Sequence, residues 1–596
     1  MNKQERVIAI LLGVALVGWM FYSSKQAAKP APAAPAAMAA ASTNAPAPAT
    51  LTAAPSPAAQ PAAPMPALAA PSAPEEVVTL DGGDMTLAVS SHGAVLKRVT
   101  LTRYASHPGK VGADNPPVTL DFASAPALEL AGVPGLAANA AYRVEKDGAG
   151  KAVTLTTATE QGLTLTRRIE VLADYQVKVT DTLRNAGGEV VTLGTNSVCL
   201  GAMQRGHSKN DMLSIDSLPA GDKAKVLYWD SQKATKEYLV GANNGGFGCG
   251  GKRSAAGLPD QATVPVAEPQ AWVAIKSRFF VTGFSASESN CGFTATMARD
   301  VSKPVYSLNE VSARMLFPGR VLGQGETVTR DYRLFIGPKK LSLLQSLGNG
   351  MDKVMQFGMF WWFCNLLVPT LNFFHKLIPS YGVAIILLTF LVRIIFWPLT
   401  HKSTESMKKM QDLQPKLKEL QAKFKDNPQK MQQETWALYR ENKVNPMSSC
   451  LPMLVQIPVF IALFTVLRSA VELRYAPFLW IGDLSEPENL LVGVLPFAVN
   501  ILPVLMAATM ALQSYLTPSA GDPQQQKMMM IMMPIMMLFM FYSFPSALSL
   551  YWTVSQVLSI VQMLMMRRKS AHKHDADGGV TVEAPLTRQQ RRHAAK

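Results

Sequence analysis

Residues 381–399 read YGVAIILLTFLVRIIFWPL, a stretch carrying a single charge, Arg393. Lipid satisfies no backbone amide and a helix satisfies its own, so a run of this length and polarity is a candidate membrane-crossing helix. One such helix obliges the rest of the chain to be organised around a bilayer. Further apolar runs lie near 451–467, 491–512, 528–544 and 548–566, and another at 7–22. Together they predict six spans, five of them grouped in a C-terminal helical core. Composition agrees: only 17% of the 596 residues are charged, against about 25% in soluble chains.

Charge sets the expected orientation. Residues 401–445 are dense in lysine, among them Lys402, Lys408, Lys409, Lys416 and Lys418, which places that segment in the cytoplasm. Residues 476–489 carry only acids (Asp483, Glu486, Glu488) and fall on the exported side. Arg567, Arg568 and Lys569 return the tail to the cytoplasm.

The N-terminal run follows Lys3 and Arg6 and reads either as a cleaved signal peptide or as an uncleaved anchor. Trp19 and Tyr22, placed as interface residues, favour a signal anchor over 1–24. Residues 25–76 are almost wholly Ala and Pro, a flexible tether. From 77 to 340 the pattern changes to short alternating strands such as MTLAVSS, LTLTRRIEVL and YQVKVTDTL, separated by Gly, Asn and Asp turns. This predicts a large exported all-β domain, a β-sandwich. Its three cysteines, Cys199, Cys249 and Cys291, allow one disulfide at most, of unspecified pairing.

Leu341, Leu344, Leu347, Met351, Val354 and Met355 recur at helical spacing. The stripe suits an amphipathic helix on the membrane surface or a connector packed on the sandwich. The domain division takes it as interfacial and joins it to the second span over 341–400. Residues 401–446 read as a helical hairpin broken at Asn427-Pro428, with Pro415 kinking or restarting its first arm. The remaining four spans occupy 447–566, and 567–596 form a basic tail.

The polar inventory of the spans excludes several chemistries. None of the 8 histidines lies in an expected span, no HExxH or P-loop occurs, and the spans hold no acidic residue. Intramembrane proteolysis and carboxylate-based proton coupling are disfavoured, with no catalytic residue, metal or cofactor implied. Arg393 remains. A guanidinium in lipid costs about 2.5–3.5 kcal/mol on insertion scales. Either it snorkels to the headgroups or it lines a wet groove with Thr389, one turn away, and uncharged polar groups such as Gln456, Thr509, Thr553, Ser555 and Gln556. The methionine-rich run 528–540 suits lipid contact or an adaptable binding surface.

Four stretches, TFLVRIIFWPLT, MQDLQPKLKEL, CLPMLVQIPVFIALFTVL and FPSALSLYWTVSQ, together resemble the YidC family of membrane protein insertases. The resemblance implies a Gram-negative layout: a multi-pass inner-membrane protein with both termini cytoplasmic and residues 77–340 periplasmic. It implies a substrate groove whose arginine falls on Arg393 and whose client contacts fall on Thr389, Phe460, Met506 and Trp552, with Gln456 added from the polar inventory. Implied partners are nascent membrane proteins, the Sec translocon, membrane lipids, and ribosome or targeting factors at the hairpin and tail. Ala547 stands where the family often has Gly, and Trp552 where many members have Tyr. A solute transporter binding an anion at Arg393, or an assembly factor acting through the sandwich, are the rival readings.

Overall fold

A computed structural model describes residues 74–206, 211–221, 225–230, 260–288, 290–300, 308–424, 427–442, 444, 451–491, 498–516 and 523–576. The anchor expected at 1–24, almost all of the tether, Cys249 and tail residues 577–596 lie outside these.

Strand Leu163–Val171 shows how the sequence builds the first domain. Leu163, Leu165, Ile169 and Val171 alternate inward while the Thr residues between them sit at intermediate exposure. Period-two burial of this kind leaves one face for a facing layer. The strand lies within a nine-stranded antiparallel sheet. From the strand Leu227–Asp230 the order passes through Ser214–Pro219, Gln270–Lys276, Phe280–Ala286, Thr327–Pro338 and Gln176–Asn185, then Leu163–Val171, Ala152–Ala158 and Arg143–Lys146. A five-stranded sheet containing Asn196–Gln204 and Leu308–Phe317 packs across it, and a four-stranded sheet begins at Val77–Asp81.

One inward position of Leu163–Val171 is not apolar. Arg167, fully buried, donates from Nε and Nη2 to the Asp181 carboxylate at 2.7 and 2.6 Å, and from Nη1 to the carbonyls of Ala94 and Leu128. The Tyr332 hydroxyl completes the cluster by donating to Asp181. A buried charge is tolerated when all its donors are met. Cys199 and Cys291 are both buried free thiols.

The stripe over 341–355 is not one surface helix. Helix α1 (Leu341–Ser346) ends before Gly348 and Gly350, both at positive φ, and Met351–Met355 is a separate 3-10 turn. Leu341, Leu344, Met351, Val354 and Met355 are buried. Trp272 Nε1 donates to the Asn349 carbonyl at 3.1 Å, and Lys276 Nζ to the Val354 carbonyl at 2.7 Å. The expected interfacial helix is therefore corrected: this segment is a connector fastened to the sandwich, because helical spacing marks an apolar face without saying what covers it.

The helical region follows. Helix α2 (Trp361–Leu377) buries Cys364, Leu367, Val368 and Leu371 against α3 (Tyr381–Asp412) and α6 (Leu451–Ser469), and leaves Trp361, Trp362, Leu366 and Phe373 exposed. Helix α3 has 32 residues, about 48 Å at the usual rise. It ends one residue before α4 (Gln414–Lys423), whose first turn holds Pro415, so the proline marks a restart. Helix α5 (Pro428–Glu441) packs against α4, with Asn427 accepting from the Lys430 amide at 3.1 Å as N-cap.

The bundle closes with α7 (Ile501–Leu516), α8 (Pro523–Phe541) and α9 (Ser546–Ala576). Helix α7 begins at Ile501, where the Glu488 carboxylate accepts from the Ile501 and Leu502 amides at 2.6 and 2.7 Å; residues 492–497 of the run expected to cross from 491 lie outside the described residues. By length and composition, 381–407 and 546–566 are long and apolar enough to cross a membrane, while 456–469, 501–516 and 530–541 are shorter apolar helices.

Candidate functional site

Helices α3, α6 and α9 meet around Arg393. Apolar faces bring them together: Ala384, Ile385, Leu388 and Val392 on α3, Val459, Ala462 and Leu463 on α6, Leu548 and Tyr551 on α9 are all buried. Within that contact Arg393 does not reach outward. Its Nε donates to Ser555 Oγ at 3.1 Å, and its Nη2 to Ser555 Oγ and the Ser555 carbonyl at 2.6 and 2.7 Å. The guanidinium thus spans from α3 to α9 and is half-buried. No carboxylate lies among the residues that line its cavity, which are Thr389, Val392, Phe396, Thr400, Gln456, Tyr551, Ser555 and Arg393 itself.

The cavity measures about 40 Å³, room for two or three waters; Val392 and Phe396 give it apolar walls, into which Arg393, Thr389, Thr400, Gln456, Tyr551 and Ser555 set polar groups that can hold water. Gln456 Nε2 donates to the Tyr551 hydroxyl at 2.8 Å, linking α6 to α9. Thr389 returns its hydroxyl to the Ile385 carbonyl at 2.7 Å, so it offers the cavity an acceptor. Toward the far end, Gln562 Nε2 donates to Thr400 Oγ1 at 3.0 Å. The result is a polar seam between α3 and α9, able to bind a carboxylate or a chain carbonyl at Arg393.

Beside the seam stands an aromatic wall. Phe460 meets Trp552 edge-on at 5.1 Å between centroids, and Phe541 packs on Trp552 at 5.4 Å and on Phe544 at 5.3 Å. Trp552 Nε1 is buried without an acceptor. Of the residues expected in the groove, Thr389, Arg393 and Gln456 share the cavity, and Phe460 and Trp552 share the wall. Met506 on α7 is completely buried and does not line the cavity. Sequence reading passed over Tyr551, although its separation from Ser555 by one helical turn puts both on one face of α9. Among the described residues no trio of His, Cys, Asp or Glu side chains converges.

Two family profiles match the chain. One, described as the 60Kd inner membrane protein, covers residues 373–573, and the other, described as the YidC periplasmic domain, covers residues 77–369. The chain is 33% identical over 513 residues to the membrane protein insertase YidC of Geobacter sp. (strain M21), covering 82% of this chain and 85% of that protein. It is 44% identical over 247 residues to the membrane protein insertase YidC of Pelobacter propionicus, a match that covers 41% of this chain and spans less than half, 45%, of that relative. Among solved structures it is similar to an active YidC insertase with its first transmembrane domain resolved, at 18% identity and a TM-score of 0.32, covering 83% of this chain and 94% of that one.

Proposed function

The chain belongs to the YidC family of inner membrane proteins, and on that premise we propose that it is an insertase and chaperone for newly made membrane proteins. One observation carries the reading: Arg393 is turned inward onto Ser555, in a cavity where Thr389, Thr400, Gln456 and Tyr551 supply neutral polar groups and no lining residue is acidic. A half-buried guanidinium met only by neutral groups keeps its charge uncompensated, and a polar or acidic flank of a client would compensate it.

Transfer of an apolar client helix into lipid is favourable by itself, while its polar flank carries the barrier. The seam from Thr400 to Gln456 offers that flank water and a cation part way into the bilayer. The aromatic wall of Phe460 and Trp552 gives the apolar part a surface to slide along, with the methionine-rich α8 beside it. No nucleotide, metal or cofactor takes part, and no bond is made or broken.

In this reading the chain has six spans counting the anchor, a periplasmic sandwich, and both termini in the cytoplasm. Nascent membrane proteins are the clients, alone or beside the Sec translocon. The lysine-rich hairpin α4–α5 and the tail face ribosome and targeting factors, and α2 lies against lipid. The test is insertion of a client with an acidic exported tail by full-length protein in liposomes. Arg393→Ala is expected to lower it at least about tenfold, the loss of one charge-assisted contact. Unchanged insertion removes Arg393 from the mechanism.

A further inference from the structure

Residues 470–491, between α6 and α7, bond to the ends of several helices and to the sandwich. The Leu484 carbonyl accepts from the Ala547 amide at 2.9 Å, and the Glu486 carbonyl accepts from both the amide and the hydroxyl of Ser546. These are the first residues of α9. Glu488 caps the first amides of α7, and the Asn489 amide donates to Asn500 Oδ1 at 2.8 Å. Asn500 in turn donates to the Tyr542 carbonyl just beyond α8. Phe478 lies against Gly382 in the first turn of α3, where a Cβ would stand 2.0 Å from the ring. One loop therefore fastens the sandwich end of α3, α7, α8 and α9.

The sandwich grips this loop through Arg278, in the turn between strands Gln270–Lys276 and Phe280–Ala286. Arg278 Nε donates to the Arg468 carbonyl at 2.7 Å, one of the carbonyls that α6 leaves free at its C-terminus. Its Nη1 pairs with Glu486, and its Nη2 donates to the Ser485 carbonyl. The side chain is almost wholly buried, and its own amide is held by Asp211 Oδ1 at 3.1 Å. A second grip runs from Arg474 and Tyr475 to the carbonyls of Ala105 and Ser106.

We propose that Arg278 is a positioning residue through which the sandwich sets where the groove helices α6, α7 and α9 stand relative to α3. Every donor of its guanidinium that faces the bundle ends on α6 or on the loop. A planar fork with fixed donor directions transmits position in a way that a flexible ammonium does not. Ser555 lies on the helix whose first turn hangs from the Glu486 carbonyl, so a shift of the loop moves the partner of Arg393. This rests on the function proposed above.

The test uses full-length protein in lipid nanodiscs, comparing Arg278→Met and Arg278→Lys with the parent by hydrogen exchange. Arg278→Met is expected to speed exchange of the Ser546, Ala547, Ile501 and Leu502 amides by about tenfold or more, with Arg278→Lys in between. Strand Leu163–Val171 should stay within about twofold of the parent. Client insertion should fall severalfold in the same order. Equal acceleration throughout the chain would make Arg278 a general stabiliser and overturn the proposal, as would unchanged exchange at the four amides. Faster exchange there with unchanged insertion also overturns it. If Arg393→Ala in the same assay leaves insertion intact, it is the insertase reading that fails, and the exchange data still judge the coupling.

Discussion

Replacing Arg167 with methionine should unfold the sandwich well before the parent. The substitution leaves the Asp181 carboxylate buried with only the Tyr332 hydroxyl as donor, and strips the Ala94 and Leu128 carbonyls of theirs. Those two residues hold left-handed backbone at φ 51° and 69°, conformations that side chains other than glycine adopt only when neighbours hold them. Breaking a buried pair from one side costs about 3–5 kcal/mol. In a domain of this size each kcal/mol moves the melting midpoint by about 2–4 °C, so a fall of about 6–20 °C is expected. The assay is thermal unfolding of full-length protein in detergent, followed by circular dichroism. Arg167→Met with Asp181→Leu replaces the whole pair by apolar groups and should recover more than half of the loss. A fall below about 3 °C in the single variant, or a double variant no more stable than the single, would refute the reasoning.

Burial, with Lys276 and Arg278 as nearby cations, brings Lys339 down to about 7 although Asp216 and Asp211 oppose it. Between about pH 7 and pH 10.4 the unfolded chain holds a proton that the folded one lacks, so stability should climb with pH there by up to about 1.4 kcal/mol per unit. Lys339→Met should flatten that slope and raise the melting midpoint at pH 6; a parent whose midpoint is flat from pH 7 to 10 contradicts this. Gly382→Ala should push Phe478 off α3 at a cost of about 1–3 kcal/mol, read as a lower midpoint and faster exchange at the start of α3. Burial raises the thiols of Cys199 and Cys291, the latter to about 11, so neither should react with maleimide at pH 8 until the protein is unfolded.

Much of the fold was legible because burial imposes period two on strands and long apolar runs on crossing helices. Leu163–Val171 alternates as a half-buried strand must, and it also displays the signal of its buried cluster: Arg167 occupies an inward position between Leu165 and Ile169. The cover of the stripe over 341–355 stayed open between membrane and sandwich because Leu341, Leu344 and Val354 have the spacing that either would select. The cap of α7 was not legible because Glu488 lies outside the helix and is brought to it by the bridge between Leu490 and Val499. Arg393 was visible as a charge in an apolar run, but its partner Ser555 is 162 residues away, a distance no local pattern bridges. Arg278 sits in an ordinary hairpin turn, and only the packed structure brings it to Glu486.

Site-specific photocrosslinking of a stalled nascent chain tests most directly whether clients enter along the seam beside Arg393. Probes at Gln456 and Phe460 should capture the client's hydrophobic segment. Probes at Ile394 and Val557, which face outward on α3 and α9, should capture it at least about tenfold less often. Equal yields at all four positions would mean that the client meets the bundle from lipid on every side, and the polar seam would then have no part in its passage.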